Sequence, residues 1–287
     1  MPGGPPVLST PAGAAGAEVT AVAQFERRAR QRRRIVRSGN LLIGLLSVAA
    51  FLALWEWVTA SGRIQPLFIS SPSRIAAAAE KMFASGEIWP HLRVSLSEFG
   101  LGFGLAIVVG VPIGIAVGWY RWAFAAANPF ISGINATPRE AMMPLIVIWL
   151  GIAIWSKVAL VFLGAVFPIL FNMMTAMHTM DASLLTVSRS FGARDGQVFR
   201  TIALPSAIPF LISGLRIGAG RGLVGIVLGE LYAANAGIGY LIAVYGSTFQ
   251  TDKLFVAVMI ITTMGIGLDM LLRSLERRFE AWRPARH

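Results

Sequence analysis

Six long apolar blocks divide this chain, at about residues 40–60, 96–119, 123–151, 157–178, 206–231 and 253–273. A helix needs roughly 20 mostly apolar residues to cross a bilayer, so the pattern predicts an all-α polytopic membrane protein with six transmembrane helices. The third block is the least regular, because Pro129, Pro138 and Pro144 must kink or break it. After the first block, SPSRIAAAAEKMFASG lets Ser73 cap a helix through Ile75 to Phe83 at the outer interface, serving packing or substrate contact. Residues 1–22 are rich in Pro, Gly, Ala and Ser/Thr and read as disordered. With the arginines that follow they make residues 1–36 a basic cytoplasmic tail and 37–287 the transmembrane domain. The start MPGGPPVL has no basic n-region, and residues 41–58 are long enough to span and stay, so no signal peptide is expected.

Composition agrees with lipid as the solvent for much of the surface. Hydrophobic residues make up 55% and charged residues 14% of the 287, and mean hydropathy is +0.67. The net charge of +11 is concentrated, with seven arginines between Arg27 and Arg37 directly before the first block. That placement suits a cytoplasmic membrane flank beside anionic headgroups. No nucleic-acid motif or aromatic-interleaved basic face accompanies it. With the N-terminus inside, sixteen Lys and Arg lie on inner segments against six on outer ones, which favours both termini in the cytoplasm. Cysteine is absent, which excludes disulfide and thiolate chemistry.

One polar interval, DASLLTVSRSFGARDGQVFRTIALPSAIP at residues 181–209, separates the fourth and fifth blocks, on the cytoplasmic side in this orientation. It predicts two short helices joined by a turn. Residues 183–191 supply the first, Gly192 takes the positive φ at its end, and Asp195 opens the second. Pro205 ends that helix and Pro209 sits in the first turn of the next span. Phe191, Val198, Phe199 and Ile202 offer apolar surface for a partner's groove, and Arg194 and Arg200 offer charge.

Within this interval Gly192 is followed nine residues later by Ile202-x-Leu204-Pro205. The spacing resembles the cytoplasmic loop of bacterial ABC-importer permeases, Glu-Ala-Ala, three residues, Gly, nine residues, Ile-x-Leu-Pro. Thr186, Val187 and Ser188 stand where the family has Glu-Ala-Ala. Residues 138–172 and 214–242 look like the matching regions of permeases in the nitrate, sulfonate and taurine importer group. The resemblance implies a type I ABC importer permease fold in the bacterial inner membrane. It implies a homodimer, a pair of separate cytoplasmic ATPases that use ATP and Mg, and an extracytoplasmic solute-binding protein. The implied ATPase-docking residues are Phe191, Gly192, Ala193, Asp195, Val198, Phe199, Ile202, Leu204 and Pro205.

The chain itself offers no cofactor site and no catalytic residue. None of its three lysines, Lys81, Lys157 and Lys253, follows Gly as a phosphate-binding loop requires. His91, His178 and His287 are too scattered to ligate a metal. Gly110, Gly114 and Gly118, like Gly214, Gly218 and Gly222, form stripes that let helices pack closely. Arg139, Glu140, Arg216, Arg221 and Glu230 fall within spans, where each charge costs about 2.5–3.5 kcal/mol at mid-membrane. They either pair between helices or line a translocation pathway, and with three arginines against two glutamates the cargo is expected to be an anion, with Arg216 its foremost contact. The rival reading is an ion-gradient-driven secondary transporter, which favours repeated halves with matched broken helices. No such repeat is evident in the sequence, nor is the polar cluster that a membrane enzyme needs.

Overall fold

The structure is a computed structural model that describes residues 42–61, 65 and 68–279. The expected basic tail lies outside the described residues. The chain divides into two compact units, residues 1–64 and 65–287. In the first, helix α1 (Leu42–Ala60) is 19 residues long and apolar enough to span. Its Leu45, Phe51 and Trp57 are exposed, and apolar side chains of this kind suit contact with lipid.

The second unit is helical throughout its described residues: α2 (Pro72–Ala84), α3 (Ile88–Trp119), α4 (Arg121–Ala136), a 3-10 turn (Arg139–Met142), α5 (Met143–Leu150), α6 (Ile154–His178), α7 (Ala182–Ser190), α8 (Asp195–Val198), a π turn (Phe199–Ala203), α9 (Leu204–Ala233), α10 (Ile238–Ser247) and α11 (Thr251–Phe279). Ser71, not Ser73, caps α2, its hydroxyl accepting from Arg74 N–H at 3.3 Å, because Pro72 at the first helical position sets the start two residues earlier.

Five described helices are long and apolar enough to cross a membrane, and the third block is not one of them. Pro138 holds Thr137 in an extended conformation, so α4 stops at Ala136. The chain then crosses the 3-10 turn, and Pro144 sits in the first turn of α5. Pro129 is carried inside α4. Helix α10 was not expected: its ten residues are too few to register as a span.

Helix α6 is the hub, with 61% of its most apolar stretch buried against 11% for α11. It lies between α3 and α9, and small residues set both distances. A Cβ at Gly114 would meet the Leu170 carbonyl at 2.6 Å, and one at Gly225 the Leu160 carbonyl at 2.7 Å. Gly118 and Gly218 stand at the same two interfaces, so both expected stripes are packing seams.

Pro205 does not end a helix. The N–H of Leu204 reaches back to Phe199 C=O in a π turn, and Pro205 begins α9. The wider turn absorbs a residue that cannot donate to the preceding turn. The result is one helical rod, Asp195–Ala233, of 39 residues, about 58 Å long at 1.5 Å per residue. Pro209 is buried inside it.

Candidate functional site

Three regions lie along this rod. At its start is the polar elbow. Asp181 caps α7 by accepting from Ser183 N–H at 2.8 Å. At the other end Gly192 has φ +75°, with its N–H on Arg189 C=O at 2.9 Å and the Ala193 N–H on Ser188 C=O at 3.1 Å. These two bonds make the left-handed glycine cap that satisfies the last carbonyls of a helix. Asp195 opens α8, and the backbone N–H of Arg194 is held by Gln197 Oε1.

The elbow has two faces. Val198 is buried, and Phe199 packs edge-on against Trp119 at 5.3 Å. Phe199 and Ala203 root the elbow on Met173 and Met177 of α6. Phe191 is 87% exposed, and Leu184, Val187 and Leu204 are also exposed. The apolar surface open to a partner therefore comes from α7, Phe191 and Leu204. Val198 and Phe199 face the chain's own core, because the second helix is welded to α9 and turns with it. Ile202 and Pro205 are half-buried, and Arg194 and Arg200 are exposed.

Along the last third of the rod lies a cavity of 610 Å³ between α5, α6 and α9, lined mostly by apolar groups that include Val147, Leu160, Val224 and Leu228. Arg221 and Tyr232 contribute its polar side chains. Arg221 also borders a second cavity of 450 Å³ beside Asn135, Thr137 and Asn172, at the break that Pro138 makes. Arg221 is exposed and forms no ion pair with any described side chain. Arg216 is engaged elsewhere, donating to Glu276 Oε2 of α11 at 2.9 Å. The backbone of Arg139 and Glu140 lies in the 3-10 turn, whose Ala141 reaches the larger cavity.

At the far end of the rod Glu230 is fully buried. Ser95 Oγ donates to its Oε1 at 2.6 Å and Gly239 N–H to its Oε2 at 2.7 Å. Ile238 N–H reaches Ser95 Oγ at 2.8 Å, and Gly237 N–H reaches His91 Nδ1 at 3.1 Å. Gly237 has φ +121°, and a Cβ there would fall inside the Glu230 carboxyl group. Glu230 thus anchors the start of α10 to α3 and α9, the interhelical role that its sequence position left open. Glu98 and Lys157 are buried beside it. The Nζ of Lys157 donates to Ile152 and Ala153 C=O, at 2.6 and 3.1 Å. Beyond, Tyr245 O–H donates to Glu87 at 2.5 Å and Lys253 lies 3.2 Å from it. The tyrosine hydrogen bond first, then the ammonium, hold the Glu87 carboxyl below its ordinary range against the effect of its partial burial.

Residues 110–281 match the family described as binding-protein-dependent transport system inner membrane component. The chain is 31% identical to the putative aliphatic sulfonates transport permease protein SsuC of Bacillus subtilis (strain 168), over 84% of this chain and 87% of the relative. It is also 31% identical to the taurine transport system permease protein TauC of Escherichia coli (strain K12), over 89% and 94%. Identity reaches 33% with the riboflavin transport system permease protein RibX of Chloroflexus aurantiacus, over 83% and 89%. Among solved structures, an inward-facing MetNI methionine ABC transporter chain superimposes with TM-score 0.56 at 17% identity, covering 67% of this chain and 94% of that one. This likeness speaks for the fold.

Proposed function

The chain belongs to the family of binding-protein-dependent transport system inner membrane components and is an ABC transporter permease subunit, and we propose that it carries a small anionic organic solute inward. The observation that carries the cargo reading is Arg221, a cation without a described carboxylate partner at the junction of an apolar and a polar cavity. An anionic head at the guanidinium, with an apolar body toward Leu228 and Tyr232, suits that lining. The relatives are named for differing cargoes, so the cavity and not the family supports the choice.

In this reading two copies of the chain work with two separate cytoplasmic ATPases and an extracytoplasmic solute-binding protein. Both termini face the cytoplasm, where the basic flanks lie. ATP-driven closure of the ATPases presses on α7 and Phe191, and the Asp195–Ala233 rod carries the displacement past Arg221. The permease makes and breaks no covalent bond.

Arg221→Gln is expected to assemble with its partners and to lower uptake of the native anion at least tenfold, the loss of one charge-assisted contact of about 1.5–3 kcal/mol. Arg216→Gln, which breaks the pair with Glu276, is expected to lower thermal stability more than it alters cargo preference. Uptake in reconstituted vesicles, beside the unfolding midpoint of each variant, separates the two. An assembled Arg221→Gln protein with native uptake, or an uncharged or cationic native solute, would overturn the anion reading.

A further inference from the structure

The buried polar group at the far end of the rod does not balance its charges. Glu98 and Glu230 are 3% and 0% exposed, and Lys157 is 4% exposed. His91 accepts from Gly237 N–H at Nδ1. Two carboxylates beside one ammonium leave one negative charge buried, where an uncompensated ion is among the costliest arrangements in a protein.

The hydrogen bonds identify what is missing. Both oxygens of Glu230 have protein donors, Ser95 Oγ–H and Gly239 N–H. Lys157 directs two of its three protons to carbonyls of the α5–α6 connection. Glu98 Oε2 is buried with no donor at all. Yet Ser95, one helical turn before Glu98 on α3, bonds to Glu230, so the two carboxyl groups meet at one corner of α3 and α9. Two ionised carboxylates hold only acceptors, so such a contact needs a proton on one of them.

We propose that Glu98 and Glu230 form a proton-binding site that holds one shared hydrogen ion, carried by Glu98, and that this proton keeps the start of α10 latched to α3 and α9. The titratable groups around the pair are Lys157 of α6, His91 of α3 and, stacked on His91 at 5.9 Å, Tyr240 of α10. Lys157 supplies the ammonium, and His91 Nδ1 is occupied as an acceptor. A monovalent metal ion is the alternative filling, but the described residues hold no group of three carboxylate or imidazole ligands that could enclose one. The bound proton leaves one carboxylate to balance the Lys157 ammonium, and Glu230 stays ionised to accept from Ser95 and Gly239. Its loss sets two like charges side by side, and the group that must move is the one gripping the backbone of Gly239.

The sign of the pH dependence follows. Separated and solvated, both carboxyls are ionised at neutral pH. The folded chain therefore binds one proton more than the unfolded chain, so stability falls as pH rises through the loss of that proton. The test uses the full-length chain in nanodiscs of uncharged lipid. Infrared spectra in water and deuterium oxide, taken from mildly acidic to alkaline buffer, read protonated carboxyl groups directly, and thermal unfolding is followed in the same samples. In the wild type one protonated carboxyl band is expected at neutral pH, and it should vanish in alkali together with a fall in the unfolding midpoint. Glu98→Gln keeps the shape of the protonated acid and supplies its own N–H donor. It should lose the band, fold at least as stably, and show a midpoint that no longer falls in alkali. A wild type without the band at neutral pH, or a band that survives in Glu98→Gln, would overturn the proposal. So would a midpoint that follows sodium concentration at fixed pH instead of acidity, since a metal cation would then complete the site.

Discussion

Gly237→Ala is expected to destabilise the folded chain by about 3 kcal/mol or more, the sum of a strained backbone and a disturbed buried charge. At φ +121° an L residue has no comfortable conformation, and its Cβ would overlap the Glu230 carboxyl group. Glu230 cannot retreat, because its side chain is fully buried and tied to Ser95 and Gly239. The natural comparison is Gly100→Ala on α3, where a Cβ meets nothing within 4 Å. That change should stabilise by about 0.5–1 kcal/mol, because alanine loses less backbone entropy than glycine on entering a helix. Unfolding midpoints of the two variants in one detergent should therefore move in opposite directions. A Gly237→Ala midpoint equal to the wild type's would remove the anchoring role given to Glu230.

Phe191→Asp is expected to leave the fold intact and to weaken the hold on the ATPase roughly a hundredfold, with ATP-driven uptake falling in step. Phe191 is 87% exposed, so its replacement loses almost no internal packing. In a partner's groove the same ring would bury about 1.5–3 kcal/mol of apolar surface, and a charge in its place adds a desolvation penalty; every 1.4 kcal/mol is tenfold. Phe199→Asp is the contrast, since Phe199 packs on Trp119 and its loss should reduce folded yield before it reduces coupling. Gly192→Arg acts by a third route. The space beside Gly192 is open, with nothing within 4 Å of an added Cβ, so its cost is the left-handed backbone, about 1–2 kcal/mol. That strain should tilt α7 and uncouple an inserted protein. Pull-down of the ATPase with each purified variant checks the set; wild-type recovery with Phe191→Asp would move the docking surface elsewhere.

What the sequence made legible was local or periodic. The glycine cap at Gly192 and the opening of α8 at Asp195 are matters of neighbouring residues, and the structure has both. Glycines recurring every fourth residue marked both packing seams of α6. The π turn before Pro205 was not legible, because continuing or ending a helix at proline depends on the support that α6 gives Phe199 and Ala203. The partners of buried charges were hidden for a similar reason. Glu98 meets Glu230 across 132 positions of sequence, and Arg216 finds Glu276 across 60. Only the folded bundle reveals that Arg221, rather than Arg216, is left facing a cavity. A faint signal for the buried group did exist: Glu98 and Lys157 sit at the edges of strongly apolar blocks, where a charge must find a partner or water.

The most direct test of the whole account is uptake by proteoliposomes that contain this chain, its ATPase and its loaded solute-binding protein, with ion gradients abolished by ionophores. The expected result is accumulation of the anion only when ATP is supplied on the ATPase side, undiminished by the ionophores and absent when the chain carries Phe191→Asp. Uptake that follows an imposed ion gradient without ATP would contradict it.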